Sequence, residues 1–369
     1  MTRHKPVLVR ITNNLGIGGV QRRLRDLLPR LAEHFTVYAI TYKDRGIFFE
    51  ELQDLGIHTH FLPRRPPAST VRLARFLSQL RPSIVHTHSY GGNTLGIPAA
   101  RLAGVPVRIG HVHLAHLHWY APTPWRRWVQ ARKEALIHRL WTHRVCCVSA
   151  EARAHFLAGT GLSPAKVVVL ENGIHRPSPT EIPNQRAARD QLGLPGDAIV
   201  LGMACRLASS KDLDLGLKIL AASPTSIHLA IAGPGDPEPW HRLAHRLGIS
   251  HRVHFLGPLT VMHTFYAAVD LLLFPSPPGA EGMPGTVLEA LGAGLAVLAQ
   301  ESAPLQEIQP VAPRLCFLRP DQPMEEQIRA ALTTQAGSMQ AFWDRFSLDA
   351  MVDRTLRLYD DLLRQEKLR

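Results

Sequence analysis

Short apolar runs alternate with amphipathic stretches along most of the chain. Val7–Ile11, Val37–Ile40, His58–Leu62, Ile84–Thr87, Val107–Val112 and Val145–Ser149 have the length and burial pattern of strands covered on both faces. Between them, Gln21–Glu33, Val71–Leu80 and Thr94–Ala103 carry helical spacing. This alternation predicts a parallel sheet with helices on both sides. A second series follows: Ile199–Met203, Ile227–Ala232, Val253–Leu256, Leu271–Phe274 and Ala296–Ala299. The proline-rich, polar stretch Arg176–Pro183 separates the two and reads as a linker. The expected class is α/β, with two Rossmann-like doubly wound domains facing an interdomain cleft. Their expected bounds are 1–175 and 199–346, joined by a linker over 176–198. A helix over 347–369 offers Met351, Leu356, Leu358, Leu362 and Leu363 for packing back across the domains. Ligands of open α/β sheets bind beyond the carboxyl ends of the strands, so the informative residues should follow strands.

Four such places stand out. After the first strand, Asn13–Gln21 contains Gly16, Gly18 and Gly19 and opens a helix. Its backbone N–H groups suit an anion at the positive end of the helix dipole, although a tight turn without a ligand is an alternative. The dinucleotide fingerprint would place glycine at Gln21, which argues against a nicotinamide cofactor. At the end of the fifth strand, His111, His113, His116 and His118 fall within eight positions. His111 and His113 share a face in an extended strand, which permits chelation. No acid or cysteine stands nearby before Glu134, so the expectation is a histidine lining the cleft and no metal. In the second series, Arg206 ends a strand and Lys211 opens the next helix, a pair of cations suited to a diphosphate. Solvated basic residues are the alternative. Finally, Glu281 on a loop and Glu289 on a helix could accept hydrogen bonds from sugar and ribose hydroxyls, or merely decorate the surface.

Composition narrows the partners. The 369 residues carry a formal net charge of +12, which favours an anionic partner: nucleic acid, anionic lipid or a diphosphate substrate. No nucleic-acid-binding module is recognisable, and no such partner is expected. The segment 119–144 holds four of the six tryptophans, with Arg126, Arg127, Arg132, Lys133, Arg139 and Arg144 against one acid, Glu134. As a helix it aligns Trp125, Trp128, Val129, Leu136 and Leu140, a stripe suited to an anionic membrane surface. An ordinary domain-covering helix with a basic solvent face is the alternative. No run approaches the ~20 apolar residues of a membrane span, and Met1–Pro6 lacks the features of a signal peptide. A cytoplasmic protein, peripheral on the inner face of the cell membrane, is expected. Its four cysteines are expected to be buried and reduced.

The order of these motifs resembles the retaining glycosyltransferases of family 4, which have the GT-B fold. The resemblance runs through Gly18-Gly19-Val20-Gln21, Val107–His113, Val148-Ser149-Ala150, Glu171-Asn172-Gly173-Ile174, Arg206 with Lys211, and Gly233-Pro234-Gly235. It continues through Phe255-Leu256-Gly257, Pro275-Ser276, Glu281-Gly282-Met283-Pro284 and Glu289-Ala290. It implies transfer of a sugar from a nucleotide-diphosphate donor to a hydroxyl of a saccharide or lipid-linked acceptor, in polysaccharide, lipopolysaccharide or glycolipid synthesis. Neither a metal nor another cofactor is implied. Arg206 and Lys211 would hold the donor diphosphate, and Glu289 the ribose. Glu281 with Gly282, Met283, Pro284 and Gly285 would hold the sugar, and Gly235 would belong to the donor site. Gly18 and Gly19 would lie near phosphate and acceptor. His113 matches the family's active-site histidine best, with His111 the second choice. Gln21 replaces the family's usual glutamate, His175 a frequent aspartate and Cys205 a frequent glycine. A sugar-nucleotide epimerase or hydrolase on the same fold is the alternative, as is a non-catalytic basic protein bound to membrane or nucleic acid.

Overall fold

The computed structural model describes residues 5–64, 68–114 and 121–368. His116, His118 and Trp119 lie outside the described residues. The chain forms two compact units. The first is built on seven parallel strands: β1 (Val7–Thr12), β2 (Thr36–Thr41), β3 (His58–Phe61), β4 (Ile84–His88), β5 (Val107–Val112), β6 (Arg144–Cys147) and β7 (Val167–Val169). Their order is β3-β2-β1-β4-β5-β6-β7. Among the described residues, six helices connect them: α1 (Gly19–Leu31), α2 (Phe48–Asp54), α3 (Ser69–Leu80), α4 (Ser89–Leu102), α5 (Pro124–Trp141) and α6 (Ala150–Thr160).

The second unit opens with α7 (Gln185–Leu192). It continues through β8 (Ile199–Ala204), α8 (Leu213–Ala221), β9 (Ile227–Ala232), α9 (Glu238–Arg246), β10 (Val253–Gly257), α10 (Met262–Ala268) and β11 (Leu271–Phe274). It ends with α11 (Gly285–Gly292), β12 (Ala296–Ala299), α12 (Ala303–Ile308), β13 (Leu315–Phe317), α13 (Met324–Thr333) and α14 (Gln340–Phe346). Its six strands lie in the order β10-β9-β8-β11-β12-β13. Both sheets are doubly wound, as the alternation of apolar runs predicts, and strand order reverses between β1 and β4 and between β8 and β11.

Each face of the first sheet buries its own apolar layer. Leu8, Val37, Ile84, Val107 and Ile109 meet α1 and α2, while Val9, Ile11, Ile40 and Val85 meet α3 and α4. The last helix, α15 (Leu348–Lys367), belongs to this first unit and packs beside α1. Its Met351, Val352, Tyr359 and Leu362 enter the first of these layers, and Asp349 pairs with Arg30 at 2.7 Å.

Several local expectations are corrected. β7 and β13 carry only three residues each, too few for a periodic signal. β6 ends at Cys147, because Ser149 leaves the strand to cap α6, its hydroxyl accepting from the Ala152 N–H at 3.1 Å. Within the expected linker, α7 is anchored by the buried Arg189. This side chain pairs with Asp270 at 2.7 Å and donates to the carbonyls of Gly196, Ala198 and Ala268. Cys146 and Cys147 are buried, whereas Cys205 and Cys316 are only half-buried.

Candidate functional site

In the second unit the functional candidates gather beyond the carboxyl ends of β8, β9 and β11. Arg206 follows β8 and is exposed; Lys211, on a single 3₁₀ turn, is buried to 8% exposure. Asp212 sits in the left-handed region at φ 48°, and its carboxylate accepts from the Leu215 N–H at 3.1 Å, starting α8. The loops after β8 and β9 are zipped together, with the Cys205 and Leu207 N–H groups donating to the carbonyls of Ala232 and Pro234, each at 2.9 Å. Gly233, at φ 152°, permits this approach, since a Cβ there would overlap the Cys205 carbonyl. Gly235 follows it and is exposed. Across the strand-order reversal, α11 begins at Gly285 behind Pro284 and carries Glu289. Tyr266 on α10, nearly fully buried, donates its hydroxyl to Glu289 Oε2 at 2.9 Å. A tyrosine 23 positions upstream leaves no pattern in the sequence, and Tyr266 was not among the expected residues.

The first unit contributes the glycine turn after β1. Gly18 precedes α1 and Gly19 starts it. Gln21 folds back over the turn, its amide donating to Asn13 Oδ1 at 3.2 Å and Asn14 Oδ1 at 3.0 Å. A glutamate in the same pose would set oxygens against oxygens, so the departure at Gln21 has a local physical partner. The half-buried Glu281, with buried Gly282 and Met283, also groups with this unit. A Cβ on Gly282 would run into the His113 carbonyl oxygen and the Val148 side chain, so glycine alone lets this segment come so close.

His111 and His113 share a face, their rings stacked with centroids 4.2 Å apart. His111 is deeply buried at 2% exposure, and His113 is half-buried. Neighbouring strands add partners that sequence reasoning missed. His86 and His88 end β4 on the same face, and Arg10 stands beside them on β1, each almost wholly buried. The same His-x-His alternation that marks β5 was the available signal. Tyr359 of α15 bonds His86 Nδ1 at 2.8 Å, and His86 Nε2 lies 3.2 Å from His111 Nδ1. His88 Nδ1 lies 2.9 Å from His113 Nε2, and Arg10 Nη1 donates to His88 Nε2 at 3.0 Å. Nitrogens of His86, His88 and His111 fall within 4.8 Å of one another, a spacing a cation could bridge. The donor set does not suit one, because Arg10 already occupies His88 Nε2 and brings a positive charge. Burial, then Arg10, depresses His113 to about 3, and burial first and Arg10 among the further causes hold His86, His88 and His111 well below their ordinary value. Glu134 accepts from Asn93 Nδ2 at 2.7 Å and lies 3.4 Å from His138 Nε2.

The basic, tryptophan-rich segment forms α5, capped by Thr123 and opened by Pro124. Trp125, Trp128, Val129, Leu136 and Leu140 are all exposed, as are Arg126, Arg127, Arg132, Lys133 and Arg139. Trp125 and Trp128 stack at 5.2 Å, and the Arg132 guanidinium covers the Trp128 ring at 5.6 Å, so a cation joins the aromatic face. The helix's one acid, Glu134, is buried, which leaves its exposed face cationic and apolar. Among the described residues, no helix is long and apolar enough to cross a membrane.

Comparison with known proteins matches this architecture to a family. A family profile described as Glycosyltransferase Family 4 matches residues 17–176, and one described as Glycosyl transferases group 1 matches residues 198–333. EpsF of Bacillus subtilis is 26% identical over 314 residues, covering 80% of this chain and 79% of that protein. The Escherichia coli UDP-Gal:alpha-D-GlcNAc-diphosphoundecaprenol alpha-1,3-galactosyltransferase is 27% identical over 309 residues, 76% of this chain and 75% of that one. In fold, the chain is similar to the crystal structure of Anabaena HepE in complex with UDP and glucose. The TM-score is 0.82 at 17% identity, covering 96% of this chain and 100% of that one.

Proposed function

We propose, for a chain that belongs to glycosyltransferase family 4 and is thus a sugar-nucleotide-dependent glycosyltransferase of the GT-B fold, that transfer retains anomeric configuration and needs no metal or other cofactor. Its acceptor is a hydroxyl of a lipid-linked saccharide in cell-surface polysaccharide, lipopolysaccharide or glycolipid synthesis. The observation that carries this reading is that two cations and one carboxylate follow the two strands, β8 and β11, at which strand order reverses in the second unit. Arg206 and Lys211 follow β8, and Glu289 stands on the helix after β11.

Arg206 and Lys211 offset the charge that grows on the departing diphosphate, the task a divalent cation performs elsewhere. Glu289, held by Tyr266, accepts from the ribose hydroxyls. Glu281 and the backbone from Gly282 to Gly285 hold the transferred sugar, and Gly235 borders the donor. His113 contacts that sugar, while Gly18 and Gly19 serve phosphate and acceptor. The acceptor hydroxyl attacks the anomeric carbon on the face the diphosphate leaves. The new C–O bond forms as the C–O bond to phosphate breaks, and the leaving phosphate takes the hydroxyl proton.

The name of the Escherichia coli relative, which includes a diphosphoundecaprenol acceptor, supports a lipid-linked substrate. The exposed cationic and aromatic face of α5 supports a peripheral position on the inner face of the membrane. The test is a thermal-shift screen of the purified protein against UDP, GDP, ADP and their common sugar conjugates. Occupancy at about a hundred times Kd stabilises a protein by about 2.7 kcal/mol, a readable shift. Selective stabilisation by one nucleotide, lost in Glu289→Ala, is the expected outcome. No response to any of them at millimolar concentration would overturn the reading.

A further inference from the structure

The rings at the carboxyl ends of β4 and β5, with Arg10 of β1 beside them, form more than a packed layer. Alternate residues on neighbouring parallel strands project on one face, which sets Arg10, His86, His88, His111 and His113 side by side. The directions of their hydrogen bonds follow from one obligatory donor. A guanidinium has N–H groups and no acceptor, so Arg10 Nη1 must donate to His88 Nε2 at 3.0 Å. His88 Nε2 therefore carries no proton, and the neutral His88 ring has its proton on Nδ1. That proton points at His113 Nε2, 2.9 Å away, which must accept it. His113 is left with its own proton on Nδ1.

We propose that Arg10 and His88 are positioning residues that lock His113 as the Nδ1–H tautomer. His113 then meets the substrate only as a hydrogen-bond donor and does not act as a base at Nδ1. The substrate part of this inference rests on the glycosyltransfer reading given above. An oxygen of the sugar or acceptor opposite Nδ1 is thereby recognised through its lone pairs.

Protonating His113 would break the chain. A proton on His113 Nε2 would face His88 Nδ1, which would have to give up its own. His88 would then take a proton on Nε2, pointing at an Arg10 N–H, donor against donor. The surroundings oppose any added charge as well. The Arg10 guanidinium is buried against the neutral Tyr359 ring, 5.7 Å from its centre, so its positive charge is felt by its neighbours. The cavity beside them is lined by Arg10, Arg23, His88, His111 and His113, and among the described residues no carboxylate lines it. Of the other facing groups, Tyr359 on α15 and Cys146 on β6 are both held protonated by burial. The depressed pKa values of all four histidines agree with the hydrogen-bond directions.

The test is ¹H–¹⁵N correlation of the histidine side chains in the full chain, with His113→Gln assigning the signals. In the unaltered protein, His113 should show a proton on Nδ1 alone, unchanged from about pH 8 to about pH 5, where an ordinary histidine would have titrated. His88→Phe keeps a ring but removes both bonds, so His113 should populate both tautomers, with its midpoint rising into that window. His88→Gln, which can both accept from Arg10 and donate to His113, should restore the locked form. Arg10→Met should release the ring like His88→Phe and serves if the latter fails to fold. A His113 that titrates in the unaltered protein, or carries its proton on Nε2, overturns the proposal. So does a tautomer indifferent to His88→Phe and Arg10→Met. Thermal shifts with UDP, GDP and ADP on the same samples separate the two readings. A nucleotide response beside a freely titrating His113 overturns the relay alone. A locked His113 with no nucleotide response overturns the transfer reading and its sugar contact, while the tautomer assignment stands.

Discussion

At the scale of single residues, Lys211 offers the most direct test of the proposed transfer. Its ammonium is largely withdrawn from water, on the turn after β8. Lys211→Ala should lower turnover by about 10²–10³, the usual loss on deleting one charge-stabilising donor. Near-normal turnover in a folded variant would remove it from the mechanism. The buried histidines carry a different prediction. His86, His88 and His111 are held neutral in the fold, well below the ~6.5 of an unfolded chain. The unfolded state thus binds more protons below that pH, and stability must fall with acid. The contribution is complete above about pH 6.5 and is lost as pH drops, by about 1.4 kcal/mol per unit for each ring. Denaturant midpoints should therefore decline steeply between about pH 6.5 and pH 5. A flat profile would mean that the rings charge freely in the folded state. How much of this was legible differs from residue to residue. His111 and His113 stand at a strand end and attract attention, as do Arg206, Lys211, Glu281 and Glu289 beside glycines and prolines. Arg10 did not, because one arginine in an apolar strand looks like an edge or a strand end. Its role depends on His88, 78 positions away. Tyr266 is similarly tied to Glu289 only by the fold.

At the scale of elements, the long apolar runs translate directly into strands, since burial on both faces leaves a pattern that needs no neighbour to interpret. The elements that escaped are those stabilised by contacts outside themselves. β7 and β13 are too short to carry a period, and α7 hides in a polar stretch until Asp270 supplies the partner of Arg189. α5 is the opposite case, because its stripe was visible and the fold leaves it uncovered by the described residues of this chain. Each cation at an anionic surface contributes about 1 kcal/mol, so replacing Arg126, Arg127 and Lys133 with glutamine should weaken binding to phosphatidylserine vesicles by about a hundredfold. Co-sedimentation would show it. Vesicle binding unchanged by the triple substitution, or absent from the unaltered protein, would assign the exposed tryptophans to some other contact.

At the scale of the whole molecule, two units are each complete as a doubly wound sheet, yet the first is not continuous in sequence. α15 lies beyond the second unit in the chain and still supplies Met351, Val352, Tyr359 and Leu362 to the layer under β1, β4 and β5. Losing four such side chains at about 1.5–3 kcal/mol each approaches or exceeds the stability of an ordinary domain. Ending the chain at Ser347 should abolish hydrogen-exchange protection in β1, β4 and β5 while β8, β9 and β11 keep theirs. Equal protection in both sheets would show that the helix is dispensable. The same feature bears on how the protein is made. During translation β7 leaves the ribosome long before α15 is synthesised, and at about 5–20 residues per second the gap is on the order of ten to thirty seconds. For that interval the nascent first unit has an open apolar face, and the second unit is free to fold ahead of it. Chaperone capture of stalled chains should therefore map to the half of the protein that is synthesised first and finished last.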